Sequence, residues 1–284
     1  MKARILTAMV AVVAVLPATA TATAGSHLAK AASRQSRTSD TAIAGASVFL
    51  WSSHGREARG SGCTLTYSVR SKRTGKRGAL TAGHCVAMLD GGPTYLVHQT
   101  QSLPDDGTEP GDLLGKVSGR NYVVGADGDS AFVALAPGRS ARALVFVGGK
   151  SSRSAIPVVG VKAPAQDMPV CYSGAATGEH CGFTIIGDGP HSVTFKSGRS
   201  HVQIGNEWEA KTDSGVGCTS RRGDSGSPVY TIDNGEAYAV GILSGGQVKA
   251  GQCPFYFTPV TVALKALHLT LITGKPGSVP APTS

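Results

Sequence analysis

With 284 residues, 41% of them apolar, the chain is long enough for one large domain or two closely packed smaller ones, and too hydrophobic to stay disordered throughout. Charged residues make up only 16%, below the ~25% usual for soluble domains, and the 38 glycines are about twice the usual share. Long charged helices are excluded, and many short strands joined by tight turns are favoured. The formal charge of +9 comes without aromatic residues interleaved among the basic ones, so no specific nucleic-acid function is expected.

Lys2 and Arg4 precede the uncharged run 5–16, and the small-residue repeat 18–24 offers several A-x-A cleavage sites. Residues 1–24 therefore read as an export signal. The apolar run is 12 residues long, whereas a spanning helix needs about 20. The expected product is secreted and extracellular, away from the membrane after signal removal, in an oxidising compartment. Residues 25–42 are polar and lack hydrophobic periodicity, as in a short leader or linker.

Strand texture follows at 48–51 and 64–69, rich in β-branched and aromatic residues. Lys72, Arg73, Lys76 and Arg77 surround Gly75, which suits a solvated hairpin tip. Further short strands are expected at 94–97, 113–117, 131–135, 144–147, 156–161, 182–186, 192–195, 228–232, 237–243 and 255–258, each bounded by turn formers. Apolar residues at 260, 263, 264, 267 and 269 predict one helix near the C-terminus, and the Pro- and Ser-rich stretch 274–284 reads as a loose tail. The fold class is all-β.

Three segments carry chemistry: Thr81-Ala82-Gly83-His84-Cys85, Gly128-Asp129-Ser130-Ala131-Phe132, and Gly223-Asp224-Ser225-Gly226-Ser227-Pro228. A serine hydroxyl is a poor nucleophile at neutral pH and needs an imidazole to take its proton and return it to the leaving group. His84 suits that base. The imidazole needs a carboxylate on its other nitrogen to fix the tautomer, and Asp129 is the first choice, with Asp127 second. The glycine-rich turn could aim the N–H groups of Gly223 and Ser225 at one oxyanion.

This pair of motifs, with the order His, Asp, Ser, resembles the chymotrypsin-like serine proteases. It is similar in particular to secreted bacterial members of the streptogrisin and α-lytic type, through Ile43-Ala44-Gly45, Cys171-Tyr172-Ser173-Gly174, Thr177-Gly178, Cys181-Gly182 and Ser244-Gly245-Gly246. The resemblance implies two six-stranded antiparallel β-barrels, residues 43–150 and 151–273, the latter with the C-terminal helix, and an active site in the cleft between them. It implies that Ser244, Gly245 and Gly246 bind the substrate backbone and that Thr219 and Ser220 border the specificity pocket. Six cysteines allow 15 pairings; the resemblance selects Cys63–Cys85, Cys171–Cys181 and Cys218–Cys253. The implied activity is a cofactor-free endopeptidase acting on proteins or peptides, expected to be a monomer. No metal is expected, since no C-x-x-C pair exists and His84 has another role.

Departures from that pattern are specific. Tyr172 stands where bacterial relatives commonly have an Arg facing the acid before the nucleophile, so Asp224 needs another partner: a new N-terminus near Ile43, Arg221 or Arg222. Ser227 replaces a usual Gly. No carboxylate occurs in Gly217-Cys218-Thr219-Ser220, so basic specificity is not supported, and Gly246 favours apolar or aromatic side chains. Trp208 reads first as strand packing. The rival function is an inactive, protease-like extracellular binding protein, distinguished by failure to react with a fluorophosphonate.

Overall fold

The computed structural model describes residues 41–54, 57–86, 91–96, 112–122, 126–197, 200–212, 219–246 and 254–275. The export signal, most of the leader, Cys218, Cys253 and tail residues 276–284 lie outside the described residues. Strands dominate. In the first half they are β1 (Thr41–Ala44), β2 (Ser47–His54), β3 (Glu57–Thr64), β4 (Ser68–Ser71), β5 (Arg77–Thr81), β6 (Pro93–Leu96), β7 (Asp112–Asn121), β8 (Ser130–Leu135) and β9 (Ser140–Phe146). The second half contributes β10 (Ala155–Val161), β11 (Pro169–Gly174), β12 (Gly178–Ser197), β13 (Ser200–Lys211), β14 (Pro228–Asp233), β15 (Glu236–Gly246), β16 (Phe255–Pro259), helix α1 (Val260–Ala266) and β17 (Leu269–Leu271).

Two sheets result. The first runs β17-β4-β5-β8-β7-β6-β2-β3, and its ladder is open among the described residues. The second runs β1-β9-β10-β15-β14-β11-β12-β13-β16, with a further β15–β16 pairing that joins six antiparallel strands into a ring. The β1–β9 and β10–β15 pairs are parallel, so the all-antiparallel expectation is corrected at these two seams. The cause is local: β1 and β10 lie outside the ring and run alongside strands whose direction is already set.

The expected strands at 94–97, 131–135, 156–161, 228–232 and 255–258 recur within a residue or two, those at 182–186 and 192–195 merge into β12, and Lys72 to Arg77 form an exposed hairpin tip. One departs usefully. The run 64–69 breaks at Leu65, because Leu65 N–H bonds to Ala46 and Thr66 N–H to Leu80 instead of to a single ladder partner. Thr66 Oγ1 then reaches Gly226 O at 2.6 Å, so this crossing segment ties the first sheet to the Ser225 turn.

Packing follows the alternation of apolar residues along the strands. One core cluster contains Val48, Leu50, Leu65, Leu80 and Phe132 and extends to Val145, Tyr230 and Ile242. The other gathers Tyr172, Phe183, Ile185, Trp208, Phe255 and Phe257 inside the ring, so Trp208 is a packing residue. The rings of Phe183 and Phe255 meet nearly edge to face, with centroids 4.9 Å apart.

Candidate active site

His84 sits in a one-turn 3-10 helix, Gly83–Val86, that follows β5. The Cys63–Cys85 disulfide binds this turn to β3. Asp129 immediately precedes β8 and is 1% exposed. Its Oδ1 accepts the His84 backbone N–H at 2.7 Å, and its Oδ2 lies 2.6 Å from His84 Nδ1. Asp129, not Asp127, thus meets the imidazole. Burial pulls the His84 pKa down, but the Asp129 charge and hydrogen bond outweigh it and raise the value above the usual 6.5.

Ser225 comes from the second sheet's side, on the turn that enters β14. The turn passes through φ values of +99° at Gly223 and +85° at Gly226. A Cβ at Gly226 would fall 2.3 Å from Thr64 O and 2.5 Å from Thr81 Oγ1, so only glycine fits. Thr64 Oγ1 donates to Gly223 O at 2.7 Å, Thr64 N–H to Ser225 O at 2.8 Å, and Gly226 N–H to Leu243 O at 2.8 Å. The first two bonds hold carbonyls of the turn and the third holds its Gly226 N–H. Among the described residues no protein acceptor takes the N–H groups of Gly223 and Ser225, and no hydrogen bond joins Ser225 Oγ to His84 Nε2.

Asp224 is fully buried, and its carboxylate is answered by neutral donors. Oδ1 accepts from Ala176 N–H at 3.0 Å and Thr177 N–H at 3.2 Å; Oδ2 accepts from Thr177 Oγ1 and Arg221 N–H, both at 2.9 Å. Burial raises its pKa and these bonds offset part of the rise. Among the described residues, neither the Arg221 nor the Arg222 guanidinium supplies the expected cation. Arg221 contributes its backbone while the side chains of Arg221 and Arg222 are exposed, and Ile43 is buried in β1. Ser227 adds a bond that a glycine would lack, from its Oγ to Asp224 O at 2.5 Å.

Ser244, Gly245 and Gly246 end β15. Ser220 crowds Gly246, where a Cβ would come within 2.4 Å of the Ser220 hydroxyl. Tyr172, in place of the expected Arg, donates to Thr219 Oγ1 at 2.7 Å and stacks among His180, Phe183 and Phe255. The Cys171–Cys181 disulfide closes the β11–β12 hairpin beside it. Sequence reasoning gave no site role to Thr64, Thr66, Thr177, Glu207 or Thr258. Only Asn206, with φ +55° beside Gly205, gives a local signal, a bulge that interrupts the strand around Glu207.

An all-β scaffold that brings a His–Asp pair from one sheet and a glycine-rich serine turn from the other to one crossing segment is the chymotrypsin-like fold. Within that class the chain belongs to the trypsin family, whose sequence profile, described as Trypsin, matches residues 55–267. Streptogrisin-C of Streptomyces griseus is 32% identical over 228 residues, 77% of this chain and 40% of the relative. Serine protease 1 of Rarobacter faecitabidus is 28% identical over 217 residues, 75% of this chain and 34% of the relative. The chain thus spans well under half the length of these two relatives. Among solved structures, Thermobifida fusca protease A aligns with a TM-score of 0.56 and 24% identity, covering 82% of this chain and 100% of its own. Cellulomonas bogoriensis chymotrypsin aligns with a TM-score of 0.56 and 25% identity, with the same coverage.

Proposed function

We propose that the chain is a secreted serine endopeptidase that hydrolyses protein or peptide substrates through an acyl-enzyme on Ser225. The hydrogen-bonded His84–Asp129 pair, set beside a serine turn bonded to the same crossing segment, is the observation that carries this reading. His84 Nε2 takes the Ser225 proton as Oγ attacks the scissile carbonyl carbon. The new oxyanion is held by the N–H groups of Gly223 and Ser225. Collapse breaks the C–N bond, and the amine departs with the proton from His84. Water then repeats the sequence in reverse to free the acid. Each step uses these side chains and backbone groups alone.

The remaining assignments rest on the resemblance of these segments to the family and on the place of Ser244, Gly245 and Gly246 at the end of β15. Ser244, Gly245 and Gly246 supply an edge for the substrate backbone. Thr219, Ser220 and Gly246 border the pocket, where the described residues present hydroxyls and no carboxylate, in keeping with apolar or aromatic side chains. Residues 1–24 direct export. Ser225→Ala should fold as the parent does, lose turnover of casein, and lose labelling by a fluorophosphonate. Hydrolysis by that variant at the parent rate would contradict the assignment, and a parent enzyme that never labels would favour the binding-protein alternative.

A further inference from the structure

One more ionisable side chain shares the buried layer behind His84 and Asp129. Glu207, on β13, is fully buried. Its Oε1 accepts from Thr258 Oγ1 at 2.5 Å and from Ser244 Oγ at 3.1 Å, while Oε2 is buried with no hydrogen-bond partner among the described residues. Thr258 Oγ1 in turn accepts the backbone N–H of Asp129 at 2.7 Å. A continuous path of hydrogen bonds therefore runs from Glu207 through Thr258 and Asp129 to His84.

The groups that face this carboxyl are acids, hydroxyls and a distant imidazole. On its own strand, Glu209 is half-buried, and its Oε2 lies 4.0 Å from His191 Nε2 on β12. His191 is in register with Glu207 but exposed. Tyr256 of β16 is in register with Glu209. From the first sheet's side come Asp129, with His84 beyond it, and Asp127, which lies near Gly205. Burial, then the nearby Asp129 charge, push the Glu207 carboxyl well above the usual range, and the Thr258 and Ser244 hydroxyls draw it back only in part. Both donors converge on one oxygen. That division suits a neutral acid, in which one oxygen accepts as a carbonyl and the other bears the hydrogen.

We propose that Glu207 is a positioning residue of the active site that carries a proton in the working enzyme and orients the Thr258 and Ser244 hydroxyls behind Asp129. The proposal rests on the endopeptidase reading above. An ionised Glu207 would set a second negative charge behind Asp129 and make the imidazole hold its proton more tightly, removing the base at neutral pH. Protonated, it leaves one carboxylate to balance one imidazolium. It also directs the Thr258 hydrogen away from Asp129, so that a Thr258 lone pair faces the Asp129 N–H.

Two variants and one spectroscopic signal test this. Glu207→Gln keeps an oxygen acceptor and is neutral at every pH, so kcat/KM should stay within about threefold of the parent, with the midpoint of the acid limb unmoved. Glu207→Leu leaves two buried hydroxyls without their acceptor and should lower kcat roughly tenfold or more with little change in KM. In infrared difference spectra, a protonated-carboxyl C=O stretch should be present in the parent and in Ser225→Ala, and absent from Glu207→Gln. A lowered acid-limb midpoint in the glutamine variant, or a band unaffected by it, would overturn the proposal, as would a folded leucine variant with the parent kcat. If the leucine variant does not fold, the glutamine variant decides by limb and band. A failed endopeptidase reading would show separately, as a parent that does not label with fluorophosphonate; the infrared band reports the proton on Glu207 either way.

Discussion

Replacing Asp129 by Asn changes one atom, and the surrounding hydrogen bonds dictate how the imidazole responds. The His84 backbone N–H, 2.7 Å from Oδ1, can only donate, so the amide oxygen must stay there. The amide NH2 then occupies the Oδ2 position, 2.6 Å from Nδ1, and Nδ1 has to accept. The imidazole proton moves to Nε2, the atom that must receive the Ser225 proton. Rotating the amide would restore a donating Nδ1 but turn two donors against each other in a buried site, at about 1–3 kcal/mol. That exceeds the small difference between neutral imidazole tautomers, so the inactive tautomer prevails. The expected loss in kcat is ~10⁴-fold, equivalent to about 5.4 kcal/mol of transition-state stabilisation. Turnover of a peptide ester gives the rate, and the nitrogen chemical shifts of His84 give the tautomer. A folded variant within tenfold of the parent, or one whose Nδ1 still bears the proton at neutral pH, would refute the reasoning.

The same geometry sets two further outcomes. Gly226→Ala forces a Cβ against Thr64 O and Thr81 Oγ1 at φ +85°, which should cost about 3 kcal/mol of stability and lower kcat by ~100-fold as the turn shifts; denaturant unfolding and kinetics measure both, and an unchanged unfolding midpoint would deny the tight fit. The raised His84 pKa places the acid limb of kcat/KM above the ordinary 6.5, because the base must be neutral to act. The same shift affects stability with the opposite sense: protonated His84 stabilises the fold fully below about pH 6.5, and the contribution fades as pH rises through the folded value. A limb centred below 6.5, or His84 titrating there by NMR, would contradict the assignment.

The His84–Asp129 pairing and the tight turn around Ser225 were legible because each segment is a short motif whose neighbours are themselves constrained. Gly226 must lack a side chain, and the run 131–135 must enter the core. Strands with β-branched runs were legible for the same local reason. Less visible were β13, whose alternation is interrupted at Gly205-Asn206, and β1, which is only four residues long and gains its partner from β9, far along the chain. Three of the four partners of Asp224 were hidden because backbone N–H groups leave no trace in residue identity. Glu207 was hidden for a related reason: a glutamate in a sequence reads as solvated, and only tertiary packing encloses it with Thr258 and Ser244.

Strand β17 bears on how the molecule is made. It lies on β4 at the margin of the first sheet, with Leu269 opposite Ser71, while the ring of the second sheet is encoded between them. During synthesis β4 leaves the ribosome long before its outer neighbour exists, and until then its unpaired backbone is a template for stray partners. Completion of the early half therefore waits on translation of the late half. Stop codons ahead of Leu269 should yield aggregation-prone chains even where His84, Asp129 and Ser225 have all been translated.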